Sequence, residues 1–148
     1  MTQIMKKISG LDCIILVDDD DITNYLHKRL ITKSNLDVQI KVNSNSEDAL
    51  IYLKKISQEQ MNDINENKAP RPGIIFLDIN MPIMDGWEFI DEYKKLPEDI
   101  KSNIIITMLT TSVNPDDEKM ANSIPEINYF LQKPLTEKKL SDTINMFY

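Results

Sequence analysis

Carboxylates follow two apolar segments of the sequence at the point where each segment ends. Residues 14–17 lead into four consecutive acids at 18–21, and residues 74–77 lead into Asp78. Short apolar runs that stop at turn residues are typical of buried parallel strands, and open α/β sheets bind their ligands at the carboxyl ends of such strands. If the two strands are neighbours, the carboxylates converge, and a hard divalent cation such as Mg2+ is expected between them.

Two further predicted strands end in side chains that could bind an anion. These side chains are Thr110, Thr111 and Ser112 after residues 103–109, and Lys133, followed by Pro134, after residues 129–132. A single Asp, Thr or Lys after a strand is usually a turn or surface residue. Four such strand ends in one chain predict instead that acids, a hydroxyl and an amine share one edge of a sheet.

The elements that would position these residues alternate between strand and helix along the chain. Predicted strands are 12–17, 38–42, 74–77, 103–109 and 129–132; predicted helices are 22–33, 47–60, one from 87 to about 96, one over 114–122 and one after the capping Thr136. Five such alternations predict a right-handed, doubly wound parallel sheet.

Helical spacing also indicates which faces are apolar. Ile22, Leu26 and Leu30 recur at this spacing and form the predicted apolar face of the first helix. Asp20 or Asp21 could cap that helix, and Asp21 is the favoured cap. Trp87 belongs to a helical aromatic stripe, which is more typical of a core than of a ligand site.

Composition restricts the class of partner. The 148 residues carry a net charge of -7 with a pI near 4.7, which argues against a nucleic-acid surface. The start of the chain lacks a signal-like apolar core, and no segment is long enough to span a membrane. We therefore expect a cytoplasmic protein with protein partners, and we interpret the single cysteine, Cys13, as a buried thiol.

Taken in chain order, the strand-end motifs resemble those of the receiver domain of two-component response regulators. The resemblance extends from about residue 11 to 147 and rests on Val17-Asp18-Asp19, Leu77-Asp78-Ile79-Asn80-Met81-Pro82, Met84-Asp85-Gly86, Leu109-Thr110-Thr111 and Lys133-Pro134. It implies a flavodoxin-like (βα)5 α/β fold with strand order 2-1-3-4-5. The domain would span 11–148 after a short lead at 1–10, with an extended loop at 61–72 before the third strand.

The resemblance also implies a metal site and a phosphoacceptor. Asp78 would accept the phosphoryl group. Asp19, Asp78 and the backbone carbonyl of Asn80 would bind Mg2+, for which Mn2+ could substitute, and Asp18 would act on the ion through water.

Further roles are implied for the two later strand ends. Lys133 would pair with a phosphoryl oxygen, aimed by a cis peptide to Pro134. Thr110, in preference to Thr111, would donate its hydroxyl and move on phosphorylation. Phe130 would be the aromatic residue that turns inward with it, although a plain core role for Phe130 is an equal alternative.

A receiver of this kind is a switch and not a turnover enzyme. A sensor histidine kinase or a phosphotransfer protein would donate to Asp78, and the surface of the fourth predicted helix, fifth strand and fifth helix would change its affinity for a downstream protein. Since the chain ends just after its last helix, we expect output through another protein, or a domain that serves as a relay or a phosphate sink.

Two other functions fit parts of the sequence. One is a degenerate receiver that serves only as a scaffold. The other is a magnesium-dependent phosphatase of the haloacid-dehalogenase type, with Asp18 as nucleophile and Asp20 as acid. The phosphatase interpretation leaves Asp78 unexplained, and the chain is short for the usual cap domain.

Overall fold

The computed structural model describes residues 5–61 and 71–148, within which five parallel strands form one sheet in the order β2-β1-β3-β4-β5. The strands are β1 Cys13–Val17, β2 Gln39–Asn43, β3 Pro72–Leu77, β4 Ile105–Thr110 and β5 Tyr129–Gln132. The helices are α1 Asp21–Lys33, α2 Ser46–Met61, α3 Gly86–Tyr93, α4 Glu98–Lys101, α5 Pro115–Ser123 and α6 Glu137–Phe147. The predicted doubly wound flavodoxin-like fold and its strand order are confirmed.

The central strand, β1, is buried along its whole length and fixes the register of its neighbours. Its last residue, Val17, pairs with Asn43 of β2 on one side and Leu77 of β3 on the other. The three strands therefore end at one level. The acids that follow β1 and β3 leave the sheet side by side.

Helices cover both faces of the sheet, because the strands alternate their apolar side chains between two cores. Cys13, Ile15 and Val17 face the core under α2, α3, α4 and α5. Ile14 and Leu16 face the core that α1 and α6 complete. Before β1, the lead is attached to the segment that precedes β2, where the backbone of Lys6 pairs with Leu36.

The predicted apolar face of α1 is wrong at Ile22 and Leu26, although Leu30 packs against the core as predicted. Ile22 and Leu26 are 71% and 55% exposed, whereas Asn24, His27 and Ile31 are buried. The helix turns this way because its two buried polar side chains bond to backbone groups below them, which hydrophobic periodicity does not encode. The favoured cap is also wrong, since Asp20 caps α1 and Asp21 is its first residue.

The short helix α4 was not predicted. It begins after Pro97, carries the acids Glu98 and Asp99 in its first turn, and buries Ile100 against the core. Four residues are too few for a periodic pattern, although the proline and the acids are helix-start signals.

Most of the predicted 61–72 loop lies outside the described residues; its ends belong to α2 and β3. Across 5–61 and 71–148, no helix has both the length and the apolar character needed to cross a membrane.

Candidate functional site

Asp18 and Asp78 extend the ladder of the two central strands by one residue each. The Asp78 N–H donates to the Val17 carbonyl at 3.0 Å, and the Asp18 N–H donates to the Asn43 carbonyl at 3.2 Å. Both carboxylates therefore start from a rigid backbone and are buried. With the exposed Asp19 they form a group in which one oxygen of each side chain lies within 4.8 Å of the others.

Lys133 brings a positive charge to this group from the other end of the chain. Its Nζ lies 2.5 Å from Oδ2 of Asp18 and 3.2 Å from Oδ1 of Asp78. The Lys133 N–H donates to the Thr110 carbonyl at 2.7 Å, which continues the β4–β5 pairing, and the Lys133–Pro134 peptide is cis, as the resemblance implies. The ammonium thus bridges the two buried acids.

Burial shifts the pKa values of the two central groups. Desolvation raises the pKa of Asp78, and the charge of Asp18 adds to this, while Lys133 and the Asn80 N–H oppose it. Desolvation alone would lower the pKa of Lys133, but its hydrogen bond to Asp18 and the charges of both acids raise it above the ordinary value. The lysine is therefore cationic, and the pKa of Asp78 stays above its ordinary value because burial and the charge of Asp18 outweigh the opposing effect of Lys133.

Asp18 also joins the site to α1. Its Oδ1 accepts the Asp20 N–H at 2.9 Å, and its carbonyl accepts Nδ2 of the buried Asn24 at 2.8 Å. Asp20 itself is occupied as the helix cap, where its two oxygens accept from the Ile22 N–H and the Thr23 hydroxyl. Asp20, the acid that the phosphatase alternative requires, is therefore engaged in capping α1.

Thr110 is fully buried at the end of β4, whereas Thr111 is exposed. The Thr110 Oγ accepts the Ser112 N–H at 3.0 Å. Ser112 is in turn tied to α5, because its hydroxyl donates to Oδ2 of Asp117 at 2.5 Å and accepts the Asn114 N–H at 3.2 Å. The hydroxyl predicted to meet a phosphoryl oxygen is thus engaged with its own loop.

Phe130 is half-buried in β5, opposite Met108 of β4, and packs against the core under α2 and α3. Trp87 packs against the same core, as predicted. These contacts are compatible both with a switch role for Phe130 and with a plain core role.

The loop after β3 packs tightly around Asp78. A Cβ at Gly86 would lie 2.6 Å from the Asp78 carbonyl oxygen and 2.9 Å from the Ile79 Cα. Asp85 caps α3 with a capping box to Glu88. Between them and Asp78, Ile83 adopts a φ of +69° and is 92% exposed.

Four residues near the site were not selected from the sequence. Asn24 bonds to the Asp18 carbonyl, Asp117 to Ser112, His27 to the N–H of Leu135, and Lys139 to carbonyls beside Lys133. The single histidine, placed within a predicted helix, was a visible signal. The other three are ordinary polar residues with no local motif.

The donor set suits a hard divalent cation. Three carboxylates converge, and in the described part of the chain Lys133 is the cation found in ion-pair contact with two of them. Asn80 is exposed beside them, and its N–H bonds to Asp78. Oxygen ligands of this number leave positions for water or for phosphoryl oxygens.

Comparisons with known proteins agree with this arrangement. The sequence profile of the response regulator receiver domain matches residues 14–145. The response regulator Rcp1 of Synechocystis sp. is 31% identical over 127 residues, which are 86% of this chain and 80% of Rcp1.

Solved structures give the same result. A two-component response regulator from Cytophaga hutchinsonii has a TM-score of 0.79 at 30% identity, covering 93% of this chain and 96% of that one. The Mn(2+)-bound form of Rcp1 has a TM-score of 0.66 at 28% identity, covering 91% and 90%.

Proposed function

Because this chain belongs to the response regulator receiver domain family of two-component systems, we propose that it is a phosphorylation-driven switch whose phosphoacceptor is Asp78. The observation that carries the proposal is the bridge from Lys133 to Asp18 and Asp78 beside Asp19. A lysine fixed next to a strand-end carboxylate could hold a phosphoryl oxygen without moving far.

The phosphoryl transfer involves the donor, Asp78 and two further side chains of the site, together with a divalent cation. An oxygen of Asp78 attacks phosphorus, an O–P bond forms, and the bond to the donor nitrogen breaks with its electron pair, so the donor imidazole leaves and takes a proton. Lys133 pairs with one oxygen of the transferred group, and Thr110 donates its hydroxyl to another.

A divalent cation, Mg2+ with Mn2+ as substitute, would neutralise the charge that gathers on the phosphoryl oxygens. Asp19, Asp78 and the Asn80 carbonyl would hold it, with Asp18 acting through water. The convergence of the three carboxylates supports this assignment, as does the Mn2+ bound by the related Rcp1.

The switch follows from the engagement of Thr110 in the resting state. Once its hydroxyl turns to the phosphoryl group, the bond from the Ser112 N–H is lost and the loop into α5 must adjust. Phe130, on the adjacent strand, can occupy the space that is vacated. The surface of α5, β5 and α6 would then change its affinity for a downstream protein.

The phosphoryl donor is a sensor histidine kinase or a phosphotransfer protein. Such a donor must cover the rim of the site to bring its imidazole to Asp78. Apolar side chains are exposed on the two segments that follow the acids: Ile22, Tyr25 and Leu26 on α1, and Ile83 after β3. Exposed apolar residues that follow the acids so closely support docking of a protein rather than of a small substrate.

The protein accepts one phosphoryl group and is not a turnover enzyme. The phosphatase alternative has less support, because Asp20 is committed to the cap of α1. The scaffold alternative leaves the raised pKa of Asp78 and the reach of Lys133 without a use.

Intact-protein mass after incubation with acetyl phosphate and Mg2+ tests the proposal. We expect the mass of one phosphoryl group on the wild type, and its loss in Asp78→Asn and when Mg2+ is omitted. Asp20→Asn is the matched control, since Asn also caps helices well and its adduct should persist.

Rapid hydrolysis of the adduct would be detected with beryllium fluoride, which forms a stable mimic. Failure of both acetyl phosphate and beryllium fluoride to modify the protein would reject the switch in favour of the scaffold. Loss of the adduct in Asp20→Asn, with turnover of a phosphate ester, would favour the phosphatase.

A further inference from the structure

The turn that carries Lys133 is bonded on both sides by one side chain of α6. Nζ of Lys139 donates to the Gln132 carbonyl at 2.6 Å and to the Pro134 carbonyl at 3.1 Å. These carbonyls belong to the residues immediately before and after Lys133. A single ammonium therefore holds the backbone on each side of the site lysine.

Two other elements bond to the same turn. The Lys133 N–H donates to the Thr110 carbonyl of β4 at 2.7 Å, and the Leu135 N–H donates to Nε2 of His27 of α1 at 3.3 Å. The histidine accepts this bond in its neutral form, and burial, the largest effect on it, lowers its pKa. The four residues from 132 to 135 are thus attached to β4, α1 and α6.

A lysine at the position of Lys139 in α6 is electrostatically unfavourable, unless its side chain bonds to groups outside the helix. It lies in the first turn of α6, where its N–H bonds to the capping Thr136. Cations destabilise the first turn of a helix, because the helix dipole is positive there. The side chain is half-buried and turns back to the two carbonyls, which accept charge-assisted bonds from its ammonium group.

We propose that Lys139 is a positioning residue for Lys133: by bonding the carbonyls of Gln132 and Pro134, it holds the backbone where the Lys133 ammonium reaches both Asp18 and Asp78. The consequence for phosphoryl transfer rests on the proposed function. The inference that Lys139 holds Lys133 in place does not depend on the proposed function.

The reach of Lys133 makes its backbone position critical. Its Nζ must stay near both acids, at 2.5 Å and 3.2 Å, so a small shift of the turn would lose the contact with Asp78 first. Misplacement of a reacting group by about 1 Å can slow a reaction by roughly a hundredfold. Lys139 therefore controls the reaction through geometry and without touching the phosphoryl group.

Amine footprinting with an acylating reagent, read by peptide mass spectrometry, tests the placement directly. Lys133 is held between acids and is shielded in the wild type. In Lys139→Met, which keeps the length of the side chain but removes its donors, we expect Lys133 to be labelled at least about threefold faster. Lys139→Arg, which can bond both carbonyls, should restore the wild-type rate.

Lys138→Met is the matched control. It removes a neighbouring lysine of the same helix. The ion-pair partner of Lys138 is Asp142 of α6, and not a residue of the turn that carries Lys133. This variant should leave the labelling of Lys133 unchanged. The midpoint of unfolding, measured for all variants, separates a local change at Lys133 from general loosening.

Phosphoryl uptake from acetyl phosphate in the same variants tests the consequence. We expect Lys139→Met to slow uptake at least about threefold, and to have no further effect in a Lys133→Met background, because its action passes through that side chain. Slowing of the same size in both backgrounds would overturn the proposed consequence.

Equal labelling of Lys133 in the wild type, Lys139→Met and Lys138→Met would overturn the placement itself. If the wild type took up no phosphoryl group and bound no beryllium fluoride, the proposed function would fail, while the footprint would still decide whether Lys139 positions Lys133.

Discussion

The hydroxyl of Ser112 donates to the carboxylate of Asp117 over 2.5 Å, and this bond ties the loop after β4 to the first turn of α5. Ser112 also donates its N–H to the Thr110 hydroxyl, so the bond stabilises the resting position of the proposed switch residue. A bond present in one state and absent in the other biases the population toward the first.

On the proposed switch mechanism, Asp117→Ala should therefore ease the change to the phosphorylated state. Loss of a hydrogen bond worth about 0.5–1.5 kcal/mol corresponds to roughly two- to tenfold tighter binding of beryllium fluoride with Mg2+. Calorimetric titration measures this affinity. Asp116→Ala, one residue earlier in α5, is the control, and equal affinities for the two variants would show that the bond does not bias the switch.

Gly86→Ala should be strongly destabilising. Its Cβ would lie 2.6 Å from the Asp78 carbonyl oxygen and 2.9 Å from the Ile79 Cα, and backbone atoms cannot move aside as a flexible side chain would. Overpacking of this kind costs about 1–3 kcal/mol. Urea unfolding measures the loss, with Asp91→Ala on the exposed side of α3 as control; a loss equal to that of the control would contradict the close approach.

The two faces of α1 should respond differently to truncation. Leu26→Ala removes an exposed side chain and should change the free energy of unfolding by less than about 0.5 kcal/mol. Ile31→Ala empties a buried site and should cost about 2–5 kcal/mol. Both are measured by urea unfolding, and a reversed order would restore the face that periodicity predicted.

Lys133→Met should raise the pKa of Asp78 further above its ordinary value. Burial and the charge of Asp18 already raise it, and the lysine opposes them. Carboxyl carbon NMR of the metal-free protein follows the titration directly, with Lys138→Met as control. A fall in the Asp78 pKa on removal of the lysine would mean that the pair is not coupled as its distance of 3.2 Å suggests.

Cys13 should be unreactive in the folded protein. Burial raises the pKa of its thiol to about 11 from 9.0. Since the thiolate is the reactive form, its fraction at pH 8 is about a hundredfold smaller than in the unfolded chain. A colorimetric disulfide reagent should react in urea and hardly at all without it, and fast reaction of the folded protein would contradict the burial.

The raised pKa of Cys13 also makes the free energy of unfolding depend on pH. The thiol is protonated in both states below pH 9, where the contribution of Cys13 to stability is complete. As the pH rises from there through about 11, the unfolded chain loses its proton first, and the contribution is lost.

Much of the fold was predictable because it depends on local patterns. Buried strands read as apolar runs, and Asn114 before Pro115 and Thr136 before α6 are strong start signals. The strand ends were predictable as a group, since parallel strands present their carboxyl ends at one edge. Asp18, Asp78 and Lys133 do meet there.

The parts that were not predictable depend on bonds between distant residues. His27 is buried because its ring accepts the N–H of Leu135, which is 108 residues later, and Asn24 because it bonds to the carbonyl of Asp18. These two bonds rotate α1 away from its apolar stripe. Likewise, Lys139 and Asp117 contact the site through turns whose shape the sequence pattern does not give.

The contact between Lys133 and Asp18 joins residues that are 115 positions apart, which has a consequence for synthesis on the ribosome. While the chain is being made, β1, β2 and β3 emerge long before β5, so their acids can converge before the neutralising lysine exists. Like charges without a counterion oppose that convergence. We therefore expect the sheet edge to close late in folding, and a divalent cation that bound the three carboxylates would assist the nascent chain before Lys133 has been made.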